Sequence, residues 1–433
     1  MCYLQAGFWN KEKNVLILIA MKPMHILISV LLVVVLLSGC TTAVVDHPYQ
    51  ADLHELYSSL PSAHKDFFQG REKQSFKDFY EEALGKAPGM DASQLYFSLR
   101  RLASFAQDSH TTVGLTQEFV QSFHAIPAQM IYLGGSWHLS VVETSSAGYL
   151  GAEVVAINGV PMQEVEALAK PLFGHDNEVW FRHSLSGQLN LTELYAYIGI
   201  AEQPTNEVTL TIVPLGETEQ RTIRLLPVKA TEYANRTFAI LTQNPAPTGP
   251  SQSYYRAFLL ENEPILFIQY NVCADDLSLP MSRFTEEVLK RIQQDQIPKA
   301  IIDLRYNSGG DSRLFEPMIA GLKQIQKDSG LFLDVLIGEN TFSSALMNAK
   351  QCKERLACRL VGTPTGGSVN HYGEVKHFVL PNSKLPVFYS TKHFVMDKHH
   401  KGTSLEPDLY VDASVGDLLA GRDTVVETLL DTL

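Results

Sequence analysis

The chain has no basic run. Its 35 Lys and Arg are outnumbered by 47 Asp and Glu, for a formal net charge of -12, which argues against nucleic acid or an anionic membrane patch as a partner. Internal repeats and low-complexity tracts are also absent. No Cys/His spacing has the form of a zinc site, and His393, His399 and His400 are too dispersed to suggest a metal; neither metal nor cofactor is expected. Cysteine is scarce, at 5 residues. Of these, Cys352 and Cys358 would either bridge or remain thiols, since Cys352 falls on the inward face of a predicted helix. At 433 residues with an ordinary 45% hydrophobic share, the chain is too long for one core and predicts two or three domains.

The longest apolar run, Ile26 to Leu37, is too short to span a membrane comfortably. It follows a short basic start, Met21-Lys22-Pro23-Met24-His25, and leads into Leu37-Ser38-Gly39-Cys40, which resembles a bacterial lipoprotein box. The resemblance implies translation from Met21, cleavage before Cys40 and lipidation of its thiol. Thr41, in place of Asp, resembles lipoproteins sent to the outer membrane. The expected location is therefore the bacterial cell envelope, with the chain lipid-anchored at the periplasmic face of the outer membrane.

Three segments carry chemistry. In the first, the strand-like Leu331–Ile337 leads into Asn340-Thr341-Phe342-Ser343-Ser344-Ala345, and Ala345, Leu346, Ala349, Cys352 and Leu356 then recur at helical spacing. A serine at that junction would lie beside free backbone N–H groups and the helix dipole, which favour an oxyanion. Equally, Thr341, Ser343 or Ser344 would serve as an ordinary helix cap. In the second, the buried-type strand Lys299–Asp303 runs through Leu304-Arg305-Tyr306-Asn307-Ser308-Gly309-Gly310-Asp311 into an amphipathic helix, and the paired glycines allow close approach to the main chain. In the third, an amphipathic helix from Leu95 ends in Gln107-Asp108-Ser109-His110-Thr111. Its histidine reads either as a helix-end residue or as a base.

In this order, with Val361-Gly362-Thr363-Pro364-Thr365-Gly366-Gly367 after the serine, the three segments resemble the C-terminal-processing (tail-specific) serine peptidase family over about residues 75 to 412. Where the tail-specific branch carries a lysine base, this chain has Ser368. Gln107–His110 is instead similar to the histidine-bearing segment of the tricorn-like branch. That resemblance implies Ser343 as nucleophile, His110 as base and Ser109 as its orienting neighbour, with the oxyanion held by the N–H of Ser344 and of Gly309 or Gly310. Lys401 stands where the branch has its glutamate, which leaves Glu406 or Glu374 for the fourth role.

Gly148–Pro161 contains Leu150-Gly151 and Val155-Ala156-Ile157-Asn158-Gly159, which resemble a PDZ signature. The alternative is a plain hairpin turning at Asn158-Gly159. A PDZ-like domain would suit an enzyme that reads chain ends. The expected fold class is α/β (α+β), with residues 1–40 as leader, 41–122 as a helical segment carrying His110, 123–240 as a PDZ-like domain with a helical insertion, and 241–433 as the catalytic domain. The implied activity is a serine endopeptidase acting through an acyl-enzyme on a peptide or protein, recognised by its C-terminus. The rival is an inactive relative that binds peptides or apolar ligands.

Overall fold

In the computed structural model, residues 47–431 are described except 234, 243, 244, 401 and 402. The leader, Cys40 and Lys401 lie outside the described residues. Everything described belongs to the compact unit Val45–Leu433.

Three helices open the chain: α1 (Pro48–Ala63), α2 (Gln74–Lys86) and α3 (Ala92–Ser104). Asp91 caps α3 with a side-chain bond to the N–H of Gln94, whose own side chain returns to the Asp91 N–H. The inward face of α3 buries Leu95, Phe97, Leu99 and Leu102, and the helix ends where Gln107 takes a left-handed φ of 44°. In the segment that follows, Asp108, Ser109 and Thr111 are buried.

A seven-stranded antiparallel sheet follows. It includes β1 (Ala128–Leu133), β2 (Ser136–Glu143), β3 (Glu153–Ile157), β4 (Val208–Val213), β5 (Arg221–Leu225) and β6 (Phe238–Ile240), in the order β6-β2-β3-β4-β5 with β1 beside β2. β3 turns at Asn158 (φ 51°) and Gly159 (φ 77°) and pairs with Val160–Pro161, the two-residue hairpin that an Asn-Gly pair encodes. Between β3 and β4 lie α4 (Met162–Ala169), α5 (Glu178–Ser186) and α6 (Thr192–Tyr197).

The last part is a six-stranded sheet of β7 (Tyr255–Leu259), β8 (Ile265–Tyr270), β9 (Lys299–Asp303), β10 (Phe332–Ile337), β11 (Cys358–Gly362) and a final β14 (Leu409–Tyr410), in that order. Only β7 runs antiparallel to its neighbour. Every residue of β8 and β9 is buried, as expected of strands covered on both faces. The covering helices include α7 (Met281–Gln294), α8 (Glu316–Ser329), α9 (Ser344–Arg355) and α10 (Thr424–Asp431). A hairpin of β12 (Asn370–Val379) and β13 (Pro386–Val395) leaves this sheet and pairs with Thr112–Val113, just after His110.

One apolar core runs continuously from α1–α3 through the seven-stranded sheet to Leu380, Leu385 and Val387 of the hairpin, and separate clusters fill the two faces of the six-stranded sheet. The Pro-rich segment before β7 is tied down, since Gln269 donates to the carbonyls of Thr248 (3.1 Å) and Gly249 (3.0 Å). Cys273, Cys352 and Cys358 are free thiols, so the bridge weighed for Cys352 and Cys358 is not formed.

Candidate active site

The site lies beyond the carboxyl ends of the parallel strands β9 and β10, where open α/β sheets place their ligands. After β10, Thr341 donates its hydroxyl to the Leu304 carbonyl (2.9 Å), and the Phe342 N–H bonds the Asn307 carbonyl (3.1 Å). The two loops are thus pinned together. The chain then enters α9 through Ser343, at φ 51° and ψ -122°, a backbone region that costs a non-glycine residue about 1–3 kcal/mol.

None of the three hydroxyls considered as helix caps has that role. Thr341 is spent on Leu304, Ser344 donates to the Gly310 carbonyl (2.6 Å), and Ser343 makes no cap bond. The half-exposed Ser343 hydroxyl has no hydrogen-bond partner among the described residues.

The glycine pair fits tightly against this turn. At Gly309 (φ 109°) a Cβ would stand 2.8 Å from Ser343 Cβ, and at Gly310 (φ 132°) it would stand 2.2 Å from the Cys273 carbonyl oxygen. Only glycine meets both the conformation and the contact. Gly309 is corrected as an oxyanion donor, because its N–H already bonds Asn307 Oδ1 at 2.9 Å. Among the described residues the N–H groups of Gly310 and Ser344 have no partner; the latter opens the first turn of α9, where helices leave donors unsatisfied.

His110 reaches the same place by stacking on Phe342, with ring centroids 4.4 Å apart, and on its other side lies His371 at 5.7 Å. Trp180 of α5 stacks on Phe342 at 3.7 Å. The His110 side chain is only 8% exposed, and among the described residues neither ring nitrogen has a hydrogen-bond partner. No hydrogen bond joins it to Ser343 in this arrangement.

Two aspartates attend the histidine. Asp108, fully buried, accepts the His110 backbone N–H (2.9 Å), the Ser390 hydroxyl (2.6 Å), the Thr111 hydroxyl (2.5 Å) and His64 Nε2 (3.1 Å). Because His64 Nδ1 accepts the Asp66 N–H, its Nε2 is the protonated nitrogen. His110 Nδ1 stands 3.6 Å from Asp108 Oδ1, an ion-pair distance rather than a hydrogen bond. Burial pushes the Asp108 carboxyl up, but the His110 and His64 rings and Ser390 outweigh it and hold the group well below the usual carboxylate range. For Asp176, burial first and then the Asp108 charge push the carboxyl up to about 7. Burial, reinforced by His110, lowers His371 to about 4.

The remaining expectations are redirected. The Ser109 hydroxyl oxygen accepts the Asp176 N–H (2.8 Å) and makes no bond to His110. Ser368, at the lysine position, is buried and accepts from Asn177 Nδ2 (3.0 Å), which also donates to the Gly366 carbonyl (2.9 Å). Neither proposed fourth group comes to the histidine: Glu374 is exposed and faces Lys392 at 3.6 Å, and Glu406 is exposed on the loop before β14. The acids that do are Asp108 and Asp176. Asp108 stood visibly two residues from His110, whereas Asp176 and Asn177 gave no local signal. A cavity of about 620 Å³ between α2, α3 and α6, lined in part by Phe79, Lys86 and Tyr197, is a separate feature that neither Ser343 nor His110 lines.

No family model matches the chain, and no curated protein matches it significantly. Among solved structures it is similar to mature CPAF, with a TM-score of 0.59 and 15% identity over 89% of this chain and 95% of that one. The photosystem II D1 C-terminal processing protease (TM-score 0.38, 13% identity, 88% and 98% covered) and the tricorn protease (TM-score 0.37, 12% identity, 89% and 36% covered) also match, at scores too low to define a shared fold. At 15% identity the likeness to CPAF establishes the α/β fold and leaves the chemistry to the site.

Proposed function

We propose that the protein is a serine-type hydrolase of the C-terminal-processing peptidase kind, cleaving peptide bonds through an acyl-enzyme. The observation that carries this reading is Ser343, held at an unfavourable φ on the first turn of α9 against the Gly309 turn, with two unpartnered N–H groups beside it. In this mechanism the Ser343 oxygen attacks the carbonyl carbon while its proton passes to a ring nitrogen of His110. The N–H groups of Ser344 and Gly310 stabilise the oxyanion, His110 returns the proton to the leaving amine, and water then hydrolyses the acyl-serine. Asp108 offsets the charge that His110 gains. The Ser343–His110 hydrogen bond is expected to form when substrate binds, as catalytic hydrogen bonds often tighten only in the complex.

The substrate in this reading is a peptide or protein in the bacterial cell envelope, with the seven-stranded sheet as a PDZ-like reader of chain ends. Anchoring through Cys40 rests on the lipoprotein box alone. Replacing Cys40 by Ala is expected to move the protein from the membrane fraction to the soluble fraction. The alternative, a binding protein without turnover, draws support from the absence of a Ser343–His110 hydrogen bond.

The deciding experiment is treatment of the protein with a fluorophosphonate, followed by intact mass and peptide mapping. One adduct on Ser343 is expected, absent in Ser343→Ala and in His110→Ala, with turnover of peptide lowered by roughly 10⁴-fold in each variant. A well-folded wild-type protein that takes no adduct would favour the binding reading.

A further inference from the structure

Asp108, His110 and Asp176 offer ligand atoms that all lie within 4.8 Å of one another. We propose that these three residues form an inhibitory binding site for a divalent cation of the zinc class, which removes His110 from catalysis when occupied. The site is distinct from the serine and the oxyanion donors, but its inhibitory consequence rests on His110 being the base.

Several independent features point to a ligand. The His110 side chain is more than nine-tenths buried, yet among the described residues both its ring nitrogens lack a partner, as does Asp176 Oδ2, although buried polar atoms are ordinarily satisfied. The 3.6 Å from His110 Nδ1 to Asp108 Oδ1 is too long for a hydrogen bond. It is close to the spacing of about 3.3–3.5 Å between two ligands of one tetrahedral zinc at about 2.0–2.2 Å. One imidazole with two carboxylates, their ligand atoms all within 4.8 Å of one another, is a donor set that suits zinc.

The surrounding shell is already built, as metal sites require. The second Asp108 oxygen is held by His64, Thr111 and Ser390, Ser109 fixes the Asp176 backbone, and Phe342 and His371 hold the imidazole plane. A fourth position would fall to water. A cation on either ring nitrogen has the same effect. Bound at Nε2 it occupies the lone pair that would take the serine proton; bound at Nδ1 it leaves Nε2 carrying the ring proton, with no lone pair to accept another.

The test is titration of the metal-free protein with Zn²⁺, by calorimetry and by Co²⁺ absorption spectra, in the wild type and in Ser343→Ala, His110→Ala and the near-isosteric Asp176→Asn, each checked for folding by circular dichroism. One saturable equivalent is expected. Its affinity should be unchanged in Ser343→Ala and weakened at least about tenfold in the other two. Zn²⁺ should also suppress fluorophosphonate labelling of Ser343, and EDTA should restore it. No saturable binding, or equal binding in His110→Ala and Asp176→Asn, would overturn the site; binding that leaves labelling intact would overturn the inhibition. If the protein takes no label even without zinc, the hydrolase reading fails while the titration still decides whether the site exists.

Discussion

At the scale of single residues, Ser343 is held in a strained backbone conformation. Its φ of 51° and ψ of -122° would suit glycine, so the hydroxyl is kept at a cost in stability. Ser343→Gly and Ser343→Ala both remove the hydroxyl, but only the glycine relieves the backbone. Ser343→Gly should therefore be more stable than Ser343→Ala by about 1 kcal/mol or more in urea unfolding. Equal midpoints would mean that the turn is unstrained. Ser343, His110 and the glycine pair were visible in the sequence because each sits in a short motif. That Gly309 has already given its N–H to Asn307 was not, since it depends on a side chain that turns back onto its own loop.

At the scale of elements, strands β9 and β10 and helix α9 follow from buried-type runs and helical spacing. The attachment of the C-terminal helix α10 does not. Arg305, after β9, reaches Asp423 with two bonds (2.8 and 2.7 Å) while also holding Asp303 (2.9 and 3.0 Å), with only 12% of its side chain exposed. Asp423 also accepts from Thr248, which couples the helix to the segment ahead of β7. Replacing Asp423 by Ala leaves a largely buried guanidinium short of one partner and should cost about 3 kcal/mol in urea unfolding. The Asp423 carboxyl, raised by burial but lowered further by Arg305, has a depressed pKa in the fold. Its contribution is therefore present above the ordinary carboxylate range and lost as pH falls through the folded value. The destabilisation by Asp423→Ala should shrink in acid; a constant difference would place the effect in packing rather than charge.

At the scale of the whole molecule, the site joins distant parts of the chain, so its ionisation is felt in global stability. His371, on β12, donates its Nδ1–H to the Ser368 carbonyl (2.8 Å) and is kept neutral by burial and by His110, with its pKa lowered to about 4. Against an ordinary value of about 6.5, the unfolded chain binds the proton more readily. The stability tied to neutral His371 is complete above about pH 6.5 and drains away towards about pH 4. Measured in EDTA, wild type should lose stability across that window faster than His371→Gln. Parallel curves would show that the ring titrates normally.

The sequence alone determined the strand-turn-helix that presents Ser343 and the glycine turn beside it, because each is written in contiguous residues whose periodicity or backbone freedom is local, while the α/β class and the choice of His110 came from the resemblance of the motifs taken together. Only the tertiary structure decided which acids attend that histidine. Asp108 is held by His64 of the first helix cap and Ser390 of the hairpin, and Asp176 arrives on the loop ahead of α5. Glu374 and Glu406, better placed by motif, are left in solvent. The reason is physical: the field around a buried group is set by what packing brings within a few ångströms, and residues separated by tens or hundreds of positions leave no periodic trace of that meeting.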